Sequence, residues 1–462
     1  MATRALRYRR PTWGVLLLLA CPGASMAKES PGPDAAGLGR AGAVAAADEH
    51  LGAHPWNPAL VPLDSARGPR LMVDLRLDAR QVTVRRWDSQ SRFHAPLEPK
   101  LLPSLDLQAP LGLPGLWGSA WARALEDNET WFPGQDPDSP LLPGKYDLQR
   151  YGALRYRFQQ SEYGISLAYR PRRWLSLGAA LVGRTVRVAH ERVLWAGTEA
   201  SFATQPDSTA DDLRIRISIR DPLLPEGRFG LFLRPLEPLR LGLSFSLPGV
   251  ARMEGRASLP PMPSGRVITL KADTDASLGL RLPWVLRAAI GVDLGRVSLD
   301  SQVTYTDAPR PRAPRVKTLG LLVHRVESPT VQVPISEVRL GPVFRSRLAL
   351  GASVRVVALR PWLELSLGYV FSQGAASPAW TSAALIDPDL HAFTAGLTLR
   401  RGALRLDLGY ARILASRRGG PGLARQENPI APGAAAAISS GLETRHGDMA
   451  AVSVTLELAP RH

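Results

Sequence analysis

Three separated stretches of this chain alternate apolar and polar residues with a period of two, which confines each to a β-strand with one greasy and one wet face. In Leu71-Met-Val-Asp-Leu-Arg-Leu-Asp78, the residues Leu71, Val73, Leu75 and Leu77 share one side, opposite Asp74, Arg76 and Asp78. Leu213 to Arg220 sets Leu213, Ile215, Ile217 and Ile219 against Arg214, Arg216, Ser218 and Arg220. Near the C-terminus, Val452 to Leu458 places Ser453, Thr455 and Glu457 opposite its aliphatic residues. Charged faces of this kind must meet water. After the first residues no uncharged apolar run reaches the length of about 18 to 20 that a helical membrane span needs; Leu348 to Phe371 is broken by Arg355, Arg360 and Glu364. A membrane role therefore requires a barrel of alternating strands.

Further strand patterns run through the chain from Ile165 to Ala411. Some are joined by very short Pro- or Gly-bearing connections, such as Pro171-Arg172-Arg173, Leu282-Pro283, Gly295-Arg296 and Arg401-Gly402. Others are separated by long ones, from Asp88 to Lys100, Glu126 to Gly144, Ala196 to Asp211, Pro309 to Val343, Ser372 to Asp389 and Ser416 to Asp448. Short turns at one end and long loops at the other are the pattern of an outer-membrane barrel. Trp174, Trp195, Trp284, Tyr305, Trp362, Tyr369 and Tyr410 fall near strand ends, where they would form interfacial girdles, although a soluble β-sandwich would use the same aromatics in its core. The count is 14 to 16 strands, depending on whether Pro222 and Pro225 interrupt one strand or separate two.

Residues 1–27 read as a secretory signal peptide: Arg4, Arg7, Arg9 and Arg10, an apolar run from Trp13 to Cys21, and a small-residue end at Ser25-Met26-Ala27. Lipoprotein processing at Cys21 is the alternative. Cys21 is the sole cysteine, so the exported chain has no internal disulfide.

The next stretch, Gly37-Leu-Gly-Arg-Ala-Gly-Ala-Val-Ala-Ala-Ala-Asp48, has too little apolar bulk to offset the entropy of ordering it alone, so if ordered it must be wedged inside something larger. Asn57-Pro58-Ala59 follows, and the Asn-Pro step ends any helix begun by the alanines. Gly39-Arg40-Ala41-Gly42-Ala43 through Asn57-Pro58-Ala59 resembles the N-terminal hatch of the FadL-type outer-membrane transporters, which take up long-chain fatty acids and aromatic hydrocarbons. The likeness continues through Tyr163 to Pro171, Trp174 to Gly178, Leu236 to Leu247, Leu280 to Tyr305 and Leu385 to His391. It implies an all-β transmembrane barrel of about 14 strands, with residues 28–66 as a hatch plugging the lumen and 67–462 as the barrel. It also implies passive uptake of hydrophobic or amphipathic small molecules by a monomer in the outer membrane of a Gram-negative cell. One departure is the C-terminus, Leu458-Ala-Pro-Arg-His462, where the family tends to end on an aromatic residue read by the assembly machinery.

In the family, a kink in an early strand opens the wall sideways to the bilayer. Leu111-Gly-Leu-Pro-Gly-Leu-Trp117 carries Pro and Gly where a central strand tolerates neither, so Gly112, Pro114 and Gly115 are the expected kink, with an ordinary loop as the alternative. The row Arg214, Arg216 and Arg220 is the expected polar face of the lumen. A guanidinium there could hold a fatty-acid carboxylate through two parallel hydrogen bonds.

Lys and Arg outnumber Asp and Glu by 57 to 41, and all but five of the basic residues are arginine. They are dispersed, with no recognisable nucleic-acid reader, which argues against nucleic acid and for anionic lipid head groups or an arginine-lined lumen. No catalytic motif appears: there is no Gly-x-Ser-x-Gly elbow, phosphate loop or His-Glu-x-x-His helix. His50 and His54, beside Glu49, are four apart, but Gly52 and Pro55 oppose the helix that would let them share a metal, so neither metal nor cofactor is expected. A barrel lipid hydrolase using His190 or His391 with nearby serines, and an occluded structural barrel without cargo, remain as alternative readings.

Overall fold

The computed structural model describes residues 32–47, 50–61, 68–86, 92–94, 98–131, 154–196, 211–260, 267–307, 315–325, 328–339, 345–359, 362–374, 389–415, 423–427, 435–439 and 441–458. Residues 1–27, with Cys21, as well as Glu49 and residues 459–462, lie outside them. Fourteen antiparallel strands close into a barrel. They are β1 (Arg70–Arg86), β2 (Lys100–Pro110), β3 (Leu116–Trp131), β4 (Arg155–Arg172), β5 (Leu175–Trp195), β6 (Asp212–Leu236) and β7 (Leu239–Ser246). The circuit continues with β8 (Val285–Leu294), β9 (Val297–Thr306), β10 (Arg347–Leu359), β11 (Leu363–Ser372), β12 (Leu390–Arg401), β13 (Leu404–Ala415) and β14 (Gly441–Glu457). β14 pairs with β1 from Arg70↔Glu457 to Arg86↔Gly441, so closure removes the free edges that an open sheet would expose.

The short turns lie at the end where β1 begins and β14 finishes. Beyond the opposite end of β7 to β10, the chain adds a second tier of strand: Val250–Ser258, Val267–Lys271, Asp273–Arg281, Arg315–Arg325 and Ser328–Arg339. Val250–Ser258 keeps the register of β7 against β6 (Arg228↔Ser246 below, Arg220↔Glu254 above), so the tier is the same wall continued. We call this part the roof and the ring beneath it the belt.

Side chains point in opposite senses in the two tiers. In the belt, Leu71, Val73, Leu75 and Leu77 face out while Asp74, Arg76 and Asp78 are buried inside, and β14 likewise turns Ser453 and Thr455 inward and Val454 and Leu456 outward. On β4 the outward residues are Tyr163, Ile165, Leu167 and Tyr169. Together these make a continuous apolar outer surface. In the roof, Ile215, Ile217 and Ile219 instead pack inward with Tyr156, Phe158, Val188, Met253, Leu278, Val316, Val323 and Ile335, residues contributed from across the lumen.

On three neighbouring strands the reversal is a change of phase at a proline. β6 is odd-inward up to Ile219 and Asp221 and even-inward from Leu224 through Glu226 and Arg228, with a register slip against β5 between Arg184 and Val186. Leu247-Pro248-Gly249 and Leu282-Pro283-Trp284 make the same switch on the strands beside it. A one-residue slip sends every following side chain to the other face. The prolines at 222 and 225 thus interrupt one strand rather than separating two.

Aromatics ring the apolar surface. Phe245, Trp284 and Tyr305 stack in series with centroids 5.8 and 5.3 Å apart, and Tyr369 meets Phe393 at 5.4 Å. Trp174 and Trp362 stand exposed at the short-turn end. Trp195 departs from expectation: it is buried at the roof end of β5.

Candidate functional site: the lumen and its inner segment

Residues 32–47 and 50–61 run inside the barrel as a chain with little regular structure, a five-residue helix at Ala35–Gly39 and a single turn at Leu51–Ala53. All described residues of this segment are buried except Trp56, which is half-buried. An irregular buried backbone needs outside partners for its carbonyls. Arginines of the belt supply several of them. Arg76 donates to the carbonyl of Gly32 (3.3 Å), Arg123 to Gly52 (3.0 Å), Arg228 to Pro55 (2.5 Å) and Arg240 to Ala46 (3.1 Å). Ser176 reaches Ala59 (2.7 Å) and Gln108 reaches Leu60 (3.0 Å), while Asp74 and Gln302 accept from the amides of Ala35 and Ala45.

Three of these arginines also meet an acid, as a buried cation requires. Arg228 lies between Glu162 and Glu226, Arg123 is 2.6 Å from Asp106, and Arg240 is 3.1 Å from Asp300. The arginine-lined lumen expected from dispersed basic residues is present, but its arginines serve the inner segment. Single-strand patterns did not identify them, because the partners lie on other parts of the chain.

Asn57, Pro58 and Ala59 sit against β5 and β6. The Asn57 amide donates to the carbonyls of Ala45 (2.7 Å) and Leu231 (3.2 Å), and its oxygen accepts from the Ala59 amide (3.1 Å). The wall is glycine here: a methyl at Gly178 would overlap the Pro58 carbonyl, and one at Gly230 the Asn57 side chain. His50 donates to Asp34 at 2.7 Å and His54 hydrogen-bonds the Leu51 carbonyl at 2.5 Å, so these imidazoles tie the segment to itself. No cluster of three or more potential metal ligands occurs among the described residues.

The expected luminal arginine row is reversed. Arg216 and Arg220 point out of the roof, and Arg214 is buried against Glu191 at 2.6 Å. At this height the exposed face carries Arg216, Ser218 and Arg220 and the isoleucines fill the interior, each burial contributing about 1.5–3 kcal/mol. Gly112, Pro114 and Gly115 are also not a strand kink. They form the turn between β2 and β3, with φ of 81° at Gly112 and 76° at Gly115, conformations that glycine adopts without strain.

The wall does part nearby, at Pro103 and Leu125. β2 and β3 pair from Pro110↔Trp117 only to Ser104↔Arg123, although both strands continue. Pro103 has no amide to donate, and Leu125 is bulged out of register between β3 and β4. The Leu125 carbonyl accepts from Arg76 instead (2.7 Å). The sequence signal for the parting is a proline inside an alternating strand, eleven residues before Pro114.

Behind this parting is a cavity of about 130 Å³ above the inner segment. Leu102, Phe158, Val186, Met253, Leu280 and Leu282 give it an apolar side, and Arg184, Glu162, Glu226 and Arg228 a charged floor. Trp56 closes it from below, with Arg287 5.2 Å from its ring centre. In the roof, Tyr156 and His190 lie edge to face at 5.9 Å, and the phenol oxygen and both imidazole nitrogens have no hydrogen-bond partner. His391 bonds the Tyr369 hydroxyl at 2.6 Å; neither histidine contacts a serine hydroxyl among the described residues.

Solved structures share this architecture at low sequence identity. A FadL homologue of Pseudomonas aeruginosa superposes with a TM-score of 0.71 at 14% identity, covering 93% of this chain and 99% of that one. The chain has the FadL fold. The toluene transporter TbuX of Ralstonia pickettii shares that fold with a TM-score of 0.64 at 14% identity, over 92% of this chain and 98% of its own. The monoaromatic hydrocarbon channel CymD matches at 0.63 and 12% identity, over 93% and 99%. No protein-family model matches the sequence, and no curated protein matches it. The neighbours sharing the FadL fold are channels or transporters, in keeping with the absence of a catalytic motif from the sequence.

Proposed function

We propose that this protein is a passive outer-membrane channel for small hydrophobic molecules, in which residues 28–66 act as the hatch and residues 67–462 as the barrel. The carrying observation is the cavity bounded by an apolar roof, the inner segment and the β2–β3 parting. An apolar solute sheds water among the roof residues, rests above Trp56, and leaves sideways past Leu102 and Leu125 into lipid. The charged floor and the pinned segment block the straight path for ions. Apolar cavities of about 150 Å³ accept benzene, so the space suits a single aromatic ring. A long-chain fatty acid would require the hatch around Asn57 to Ala59 to move.

The test is uptake of labelled toluene, benzyl alcohol and palmitate by cells with and without the protein. Faster entry of the ring compounds is expected. Equal entry of all three in both strains would refute the transport reading, and acceleration of palmitate alone would refute the assignment by ring size.

A further inference from the structure

We propose that the outer face of the wall immediately above the apolar band binds phosphorylated head groups of outer-leaflet lipid through Arg187, Arg220, Arg252 and Arg256. The inference rests on the membrane placement proposed above, but not on any cargo.

Arg187 on β5 and Arg220 on β6 are direct cross-strand partners, and both are exposed on the outside. Arg252 and Arg256 face out on the adjoining segment Val250–Ser258. None of the four has an ion-pair partner among the described residues, whereas the other outward arginines nearby are matched: Arg155 with Glu129, Arg157 with Asp127 and Arg216 with Glu191. Two exposed carboxylates stand among them, Glu254 opposite Arg220 and Asp275 opposite Arg256, so four arginines against two acids leave the group with two positive charges in excess, with Arg187 and Arg252 facing no acid across the ladder. Like charges directly opposite one another destabilise a sheet, and an anion shared between them reverses the sign of that interaction. Guanidinium groups favour phosphate for this role because each offers two parallel donors.

Height selects the source of the phosphate. Thr185 and Tyr163, directly below the patch, both donate to the Pro222 carbonyl, at 3.2 and 3.4 Å. Beneath them Leu181, Leu223, Ile165 and Phe229 are exposed. A phosphate at the arginines is thus continuous with a surface for acyl chains, which a free phosphate ion would not use.

The experiment is native mass spectrometry of the purified barrel with a bis-phosphorylated, acylated glucosamine disaccharide, with its dephosphorylated form, and with inorganic phosphate. Wild-type protein is expected to retain only the phosphorylated lipid. The triple variant R187Q/R220Q/R252Q is expected to lose retention at least tenfold, while R315Q/R412Q, which removes two paired arginines elsewhere, keeps it. Heat-modifiable gel migration confirms that each variant is a closed barrel. Undiminished retention by the triple variant, equal retention of dephosphorylated lipid, or phosphate binding as tight as lipid binding would each overturn the proposal. Toluene uptake by the triple variant should match wild type; if wild-type protein retains lipid yet carries no toluene, the transport reading fails and this one stands.

Discussion

Strand β6 passes through both tiers of the wall, and its two halves bury opposite kinds of side chain. In the roof half, Leu213 to Ile219 turn inward and Arg216 and Arg220 outward; in the belt half, Glu226 and Arg228 turn inward and Phe229 outward. The backbone and its partners are the same, so the difference lies in what surrounds each half. The belt has an apolar exterior band and a polar inner segment to coordinate. Among the described residues no inner segment runs within the roof, and its exterior is polar, so its interior collapses as an ordinary hydrophobic core. Amphipathicity along a strand reports that two environments differ without saying which is outside.

The comparison breaks most sharply if a charge is tolerated inside the roof. Ile217→Asp places a carboxylate among buried aliphatic side chains with no cation beside it, and should cost about 3–5 kcal/mol in urea unfolding from lipid vesicles. A carboxylate placed inside the belt by Ser244→Asp stands directly opposite Arg287 and should cost less than about 1 kcal/mol. Equal losses would mean that the two interiors are not different solvents. On the outside the sensitivity should reverse. Ile165→Arg should cost about 2–4 kcal/mol in vesicles if the band lies in hydrocarbon, while Ser218→Arg above it should stay within about 0.5 kcal/mol.

A third, smaller effect sharpens the role of the belt interior. Asn57→Ala removes the donor to the Ala45 and Leu231 carbonyls and should loosen the inner segment by about 1–3 kcal/mol. Faster hydrogen exchange across residues 50–61, with unchanged exchange in β1 and β14, is the expected reading. Uniform acceleration would show instead that the segment and wall open as one unit.

Much of the belt was legible in the sequence. The faces of Leu71–Asp78 and Val452–Leu458 are as alternation requires, and the buried glycine-alanine stretch could not have been ordered on its own. The roof was not legible, because the side that isoleucine chooses depends on whether lipid or water is outside, and the prolines at 222, 248 and 283 that switch phase look like ordinary turn signals. The parting at Pro103 was missed for a related reason. Gly112, Pro114 and Gly115 break a strand more visibly, yet a break at a strand's end is only a turn, whereas one proline within a strand unpairs the wall.

The mildest test uses protons and bears only on the inner segment. Burial lowers the affinity of His50 and His54 for a proton; the Asp34 carboxylate opposes this at His50, while Arg123 adds to it at His54, whose pKa falls to about 3. Asp34 is pushed upward by burial, but its contacts with His50, Arg123 and the Gly37 amide outweigh that and hold it at about 2. An imidazole with a depressed folded pKa takes up its proton more readily once released, so the hold of the segment is complete above about pH 6.5 and weakens as pH falls toward the folded value. The limiting slope is about 1.4 kcal/mol per pH unit for each histidine. Asp34 acts in the same direction lower down, its contribution being lost between its ordinary 3.8 and about 2. Acidification from about pH 7.5 to about pH 5 should therefore speed amide exchange in residues 35–60 ahead of either tier of the wall, and His54→Gln should flatten that response. Exchange that accelerates first in the roof would place the acid-sensitive core there and remove the two histidines from the account.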